Sequence, residues 1–364
     1  MDFGLSEEQR LLQHTVEQFL AKENDATKLR ARFDAEEAFD EGFWRGMAEL
    51  GFAGLVIPEA HGGAGLALLD AALVAETLGR FAAPGPFLGH TLASLALALG
   101  GSPEQQRRWL PRLATGGAVG SVAFAEPGGG WQPEDWRCPV GSKLSGAKEH
   151  VPCGARADVL IVGTAGAGLA LVERAAGGCA IESFPCVDRT RRLDTVRFEG
   201  AACEALPGGA AASARVRDAG LVLLAADAFG GAARLLELTV EYAKTREQFG
   251  VTIGHFQALK HQLANMALEV EPGRALYWYA AHAFDHATDD VPRMAALAKA
   301  HLGDRFLQVA RDAVEAHGGL GYTWECDVQI WFKRALFDRT FLGSSTVHRE
   351  RAAKLAGWGA QSAA

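Results

Sequence analysis

The 364-residue chain is poor in several things that would settle its class quickly. Its six cysteines (Cys138, Cys153, Cys179, Cys186, Cys203 and Cys326) include no C-x-x-C pair, and no Cys/His cluster has zinc spacing. They read as reduced thiols of a cytoplasmic protein. Positive charge is not in excess: 36 Lys and Arg face 44 Asp and Glu, a formal net charge of -8. That balance speaks against a nucleic-acid partner or an anionic membrane surface. The most apolar runs, such as Leu92 to Leu99, fall far short of the ~20 residues that cross a bilayer. Residues Met1 to Arg10 are acidic and polar, so no signal peptide is expected. Motifs of the G-x-S-x-G, Walker A and H-E-x-x-H types are missing, and no G-x-G-x-x-G follows a strand.

The composition that remains, 49% hydrophobic and 22% charged, is that of a globular protein. The length is about 2.4 times a typical domain of ~150 residues, so two or three packed units are expected. Residues 1–115 read as a helical domain. Ser6-Glu7-Glu8-Gln9 has capping-box spacing, and Leu11, Leu12, Val16, Phe19 and Leu20 follow on one helical face. Phe43, Trp44, Met47 and Leu50 repeat that spacing, and further helices are expected over Leu68–Leu78 and Glu104–Leu113.

Between 116 and 212 glycine and proline become dense and the apolar runs shorten. Val159–Val162, Leu169–Val172 and Thr195–Glu199 carry strand signals, which predicts a small antiparallel sheet or barrel. From 213 to 364 the pattern is helical again, with segments over Ser213–Glu247, Phe256–Asp285, Pro292–Ala316 and Thr340–Trp358. Pro272-Gly273 should interrupt the second of these. A β domain placed between two helical ones is an uncommon order.

Few stretches suggest chemistry by themselves. Thr245 to Gly250 (Thr-Arg-Glu-Gln-Phe-Gly) puts an Arg, an amide and an aromatic at a helix corner, which on the motif alone reads first as a solvated Arg/Glu pair and second as a phosphate site. Glu315 to Tyr322 ends a helix with three glycines, either to let a ligand approach the backbone or as a plain helix stop. Glu126-Pro127-Gly128-Gly129-Gly130 is a weaker glycine loop. His255, His261, His282, His286 and His301 fall at mixed phases without paired acids, and Tyr277, Trp278, Tyr279 and Phe284 read as packing.

Together these stretches resemble the acyl-CoA dehydrogenase family of flavoproteins over nearly the whole chain. The match runs through Phe3, Leu5, Glu8 and Gln9, then Gly51 to Pro58, Ala125 to Gly130, Arg246 to Gly250 with Phe256-Gln257, and His317 to Tyr322. The resemblance implies an N-terminal α-helical domain, a middle β-barrel-like domain and a C-terminal four-helix bundle. It implies FAD shared at a subunit interface, with Arg246, Gln248 and Phe249 on its pyrophosphate and adenine side. Gln257, Glu315, Gly318 and Gly319 would lie nearby, Ser344 and Thr346 would add cofactor contacts, and Asp218 would meet the substrate.

Family chemistry is an α,β-dehydrogenation of an acyl-CoA thioester: a carboxylate takes the α-proton while the β-hydrogen leaves as hydride to the flavin. The departures fall on that step. Leu342 and Gly220 occupy the two positions where the family carries its Glu, and His150 and Pro152 stand where a Trp and a Thr usually meet the flavin. Ala125 and Trp131 replace a Thr and a Ser. Phe341 to Arg349 is similar to the base-free subunits of α2β2 members that act on steroid side-chain thioesters. The resemblance thus implies a non-catalytic subunit beside a Glu-bearing paralogue, with an electron-transfer flavoprotein-like acceptor. The alternatives are an active homo-oligomer using Asp218, Glu315 or Glu325 or a different flavin chemistry, and a flavin-free scaffold.

Overall fold

The computed structural model describes residues 4–35, 39–183, 185–286 and 288–358; Phe3, quoted above, lies outside them. Six helices come first: α1 (Glu7–Glu23), α2 (Ala26–Asp34), α3 (Glu41–Glu49), α4 (Leu68–Arg80), α5 (Phe87–Gly100) and α6 (Pro103–Ala114). Seven strands follow: β1 (Gly120–Ala123), β2 (Lys143–Pro152), β3 (Val159–Thr164), β4 (Gly168–Glu173), β5 (Cys179–Ser183), β6 (Leu193–Ala202) and β7 (Glu204–Ala205). Helix α7 (Gly209–Thr245) leads to a hairpin of β8 (Glu247–Gln248) and β9 (Val251–Thr252). The chain ends with α8 (Gln257–Val270), α9 (Gly273–Asp285), α10 (Val291–Ala316), α11 (Val328–Thr340) and α12 (Ser345–Leu355). The order is helical, β, helical, as the sequence predicts. The chain forms two compact units, Met1–Phe33 with Ala72–Ala83 and Leu221–Ala364, and Asp34–Ala71 with Pro84–Gly220.

In the second unit the strands form two sheets, ordered β1-β3-β4-β7 and β2-β6-β5. Pairing is antiparallel as expected, except that β1 runs parallel to β3 with Gly120 opposite Val159. Leu144, Val151, Leu160, Val162, Val172, Val196 and Phe198 from the two sheets make one apolar core. At its edge the fully buried Lys148 donates from Nζ to Glu126 Oε1 at 2.8 Å and to Phe124 O at 3.0 Å. Glu126 in turn accepts the Cys138 N–H at 2.9 Å, so the Glu126–Gly130 loop is fastened to the chain that follows it.

In the first unit, Pro272-Gly273 separates α8 from α9 as expected. A Cβ on Gly273 would stand 2.3 Å from Leu302 Cδ2, so only glycine fits there. Arg334 forks onto Asp227 through Nε at 2.7 Å and Nη2 at 2.6 Å, and its Nη1 donates to Ala83 O at 3.0 Å, all out of solvent. Helix α7 contains a window apolar enough to cross a membrane, and 83% of that window is buried within the protein.

Three sequence expectations need correction. The segment Thr340–Trp358 is not one helix: α11 ends at Thr340 and α12 begins at Ser345. Between them Leu342 and Gly343 take positive φ, +60° and +109°, which no helix accommodates. Helix α11 itself was not expected, because Val328 to Thr340 mixes polar and apolar residues without a single apolar stripe. Helix α5 also escaped notice, since it is buried from Phe87 to Leu97 all round and so lacks helical periodicity.

Candidate cofactor site

The Thr245–Gly250 corner is a β-hairpin rather than a direct helix junction. Arg246 O accepts the Ile253 N–H at 2.8 Å, and Phe249 at the tip has φ +55° and is 93% exposed. Phe256 meets it edge-on with ring centroids 6.1 Å apart. The exposed Arg246 guanidinium has no ion pair or side-chain hydrogen bond among the described residues. Gln248 Nε2 donates only to its neighbour's carbonyl, Glu247 O, at 2.7 Å. Gln257 opens α8 with its amide 2.9 Å from His261 Nε2.

The glycine turn comes to the same place. Tyr242, four residues before Arg246, stacks on His317, the residue before Gly318, with ring centroids 4.2 Å apart. His317 is pinned by Nδ1 to Ala313 O at 2.7 Å, and burial lowers its pKa, favouring the neutral ring. Gly318 has φ +59°, and a Cβ on either Gly318 or Gly319 would meet nothing within 4 Å. Glu315 is exposed one turn earlier on α10. The stack joins the end of α7, which leads into the Arg246–Phe249 hairpin, to the end of α10, which carries Glu315 and leads into Gly318 and Gly319. Their open backbone, exposed guanidinium and exposed aromatic fit the pyrophosphate and adenine of a dinucleotide.

Ser344 and Thr346 are not part of that group. Their helix packs where a Cβ on Gly303 would stand 3.7 Å from Ser345 Oγ. Gly303 precedes Glu315 by twelve residues of α10, roughly 18 Å at the helical rise. Ser344 is the N-cap of α12 and makes no side-chain capping bond. Its half-buried hydroxyl and the exposed Thr346 could meet a second portion of an extended ligand.

In the second unit, the His150 ring lies 5.6 Å from that of Trp131, and its backbone has φ +58°. Asp218 is buried, with Oδ1 taking the Arg217 Nε–H at 3.1 Å, while Arg217 Nη1 also reaches Glu134 at 3.2 Å. Its carboxylate is thus already engaged within the chain.

Leu342 and Gly220, which the resemblance aligns with the family's base, carry no carboxylate. Leu342 is 1% exposed and its carbonyl accepts from His348 Nε2 at 3.0 Å. Gly220 is buried within α7. Glu325 is held in its ionised form by a Thr323 hydrogen bond and its own backbone N–H, which weakens it as a base. Sequence reasoning missed Tyr242, whose stacking has no local signature, and His348, whose partner lies on a strained loop.

Residues 6–117 match the acyl-CoA dehydrogenase N-terminal domain and residues 213–356 the acyl-CoA dehydrogenase C-terminal domain. Acyl-CoA dehydrogenase IpdE2 of Mycobacterium tuberculosis is 36% identical over 333 residues, covering 90% of this chain and 91% of its own length. The chain belongs to the acyl-CoA dehydrogenase family. The IpdE2 of Mycolicibacterium smegmatis is 35% identical, with 93% of this chain and 96% of its own covered. A solved variant of the Tcur3481-Tcur3483 steroid ACAD is 33% identical and superposes with a TM-score of 0.90 over 98% of this chain and 99% of that one. Acyl-CoA dehydrogenases are flavoproteins, so FAD is the cofactor and an acyl-CoA thioester the substrate class. The expected fold and enzyme class hold with that membership.

Proposed function

We propose that this chain is the base-free subunit of a heteromeric acyl-CoA dehydrogenase and lends its C-terminal contacts to an FAD shared with a Glu-bearing paralogue. The observation that carries this reading is the pairing of a filled base position with an open cofactor face. Leu342 is buried at that position, while Arg246, Phe249 and Gly318 are exposed and the Arg246 side chain makes no ion pair or hydrogen bond among the described residues. A general base is worth about 10²- to 10⁴-fold in rate, so a homomer without one would turn over poorly. FAD, when bound, supplies the hydride acceptor. The work of this chain is then to hold the cofactor: Arg246 neutralises the pyrophosphate, Gln248 hydrogen-bonds beside it, and Phe249 and the glycine turn shape the adenine side.

Similarity to a steroid ACAD supports acyl-CoA thioesters of steroid origin as the substrate class. An electron-transfer flavoprotein-like carrier would take the electrons. The test is dehydrogenation of a steroid acyl-CoA by this chain alone and by this chain mixed with a Glu-bearing paralogue from the same organism. Activity in the mixture alone is expected. Equal turnover by the lone chain would contradict the reading and send the search for the base to Asp218 and Glu315.

A further inference from the structure

The segment joining α11 to α12 is held in place by a lysine that no part of the proposed chemistry uses. Lys299 on α10 is 0% exposed. Its Nζ donates to Arg339 O at 3.1 Å and to Gly343 O at 3.3 Å, one carbonyl on each side of the strained Leu342. Burial pushes its pKa down to about 7, the Asp338 carboxylate working against that shift. In either protonation state the nitrogen carries enough hydrogens for both carbonyls.

The neighbouring contacts act in the same sense. His348 Nε2 takes the Leu342 carbonyl at 3.0 Å, and the Gly343 N–H closes a turn onto Thr340 O at 3.1 Å. Asp304, further along α10, accepts from Arg339 Nε at 2.7 Å and from Arg349. Gly303 lets the junction lie against the helix, since a Cβ there would be 3.3 Å from Arg339 Cα. A leucine at φ +60° is sparsely populated in free chains, so its surroundings must impose it.

We propose that Lys299 is a positioning residue for the cofactor site: by holding the Arg339 and Gly343 carbonyls, it sets where Ser344 and the first turn of α12 stand. This rests on the reading that Ser344 and Thr346 meet FAD. Without the lysine nitrogen the buried carbonyls lose their donor, and the junction relaxes from the strained shape that presents an uncapped serine and the first-turn helix N–H groups.

Hydrogen exchange of this chain, native or variant, assembled with the Glu-bearing paralogue, with and without added FAD, tests it. Lys299→Met should raise exchange across 341–346 about tenfold or more while α10 keeps its protection. Lys299→Gln keeps a donor and should fall between Lys299→Met and the native chain; if Lys299→Met does not fold, Lys299→Gln against the native chain carries the comparison. Added FAD should slow exchange at 344–346 in the native chain and not in Lys299→Met, while slowing the 246–250 hairpin in both. Unchanged exchange at 341–346, a rise spread evenly over α10 to α12, or equal FAD protection in the variant would overturn the proposal. Failure of FAD to protect the hairpin in the native chain would instead refute the cofactor reading, and the FAD-free comparison still decides the role of Lys299.

Discussion

Tyr242 and His317 lie nearly parallel, 20° apart in plane, and join the end of α7 to the end of α10. That single stack ties together the helix ends that lead into the Arg246 hairpin and the Gly318 turn, two motifs more than sixty residues apart in sequence. An aromatic stack is worth about 0.5–1.5 kcal/mol beyond its buried area. Tyr242→Phe should therefore behave like the native chain, and Tyr242→Ala should lower Tm by a few degrees and reduce FAD content. Thermal melts with flavin-to-protein ratios check both.

The Arg246 side chain makes no ion pair or hydrogen bond among the described residues, and its backbone bonds to Tyr242 and Ile253 do not depend on it. Arg246→Ala should leave Tm within experimental error and weaken FAD retention in the assembled enzyme. A lost charge-assisted hydrogen bond of about 1.5–3 kcal/mol corresponds to roughly 10- to 100-fold in affinity. Unchanged flavin occupancy would remove Arg246 from the cofactor site.

Putting a carboxylate at the usual base position should not create a dehydrogenase. Leu342→Glu replaces a buried leucine in a left-handed conformation. Burial would cost the ionised glutamate several kcal/mol or keep it protonated. The variant should melt lower than the native chain and show no acyl-CoA-dependent bleaching of flavin when purified alone. Turnover in that variant would contradict this expectation.

Acid should loosen the Asp34–Gly220 unit through His90. Its neutral ring is fully used: Nε2 donates to Ala53 O at 3.1 Å and Nδ1 accepts the Gly120 N–H at 3.2 Å. Burial depresses its pKa from 6.5 to about 4. Between those values the unfolded chain binds the extra proton, so this contribution is complete above pH ~6.5 and is lost as pH falls towards ~4. The full loss is about 3 kcal/mol. Denaturant melts of the native chain and of His90→Gln across that range should show a smaller pH slope in the variant.

Asp227→Ala removes one side of a buried pair and leaves Arg334, at 0% exposure, without its carboxylate. A loss of about 3–5 kcal/mol is expected, measured by the denaturation midpoint. Recovery in a variant with both residues made apolar would confirm that the cost comes from the stranded charge.

Much of the fold is legible in the residues, and the illegible parts share a cause. The capping box at Ser6 and Gln9 forms as read, with both reciprocal bonds made. Pro272 stops α8, and β3, β4 and β6 appear where short apolar runs are fenced by glycine. Helix α5 is hidden because burial on every side removes the polar stripe that marks a helix. The site divides in the same way. Arg246 and the glycines advertise themselves by motif, whereas the Tyr242 stack, the Lys299 clamp and the left-handed Leu342 come from packing between distant segments. Ser344 and Thr346 were grouped with the hairpin by resemblance, and only the length of α10 separates them.

The most direct measurement is the native mass and visible spectrum of the chain purified alone and after co-expression with a Glu-bearing paralogue from the same organism. The account predicts a colourless lone chain, and a yellow assembly whose mass corresponds to equal numbers of the two chains. A yellow homo-oligomer bleached by an acyl-CoA would contradict it.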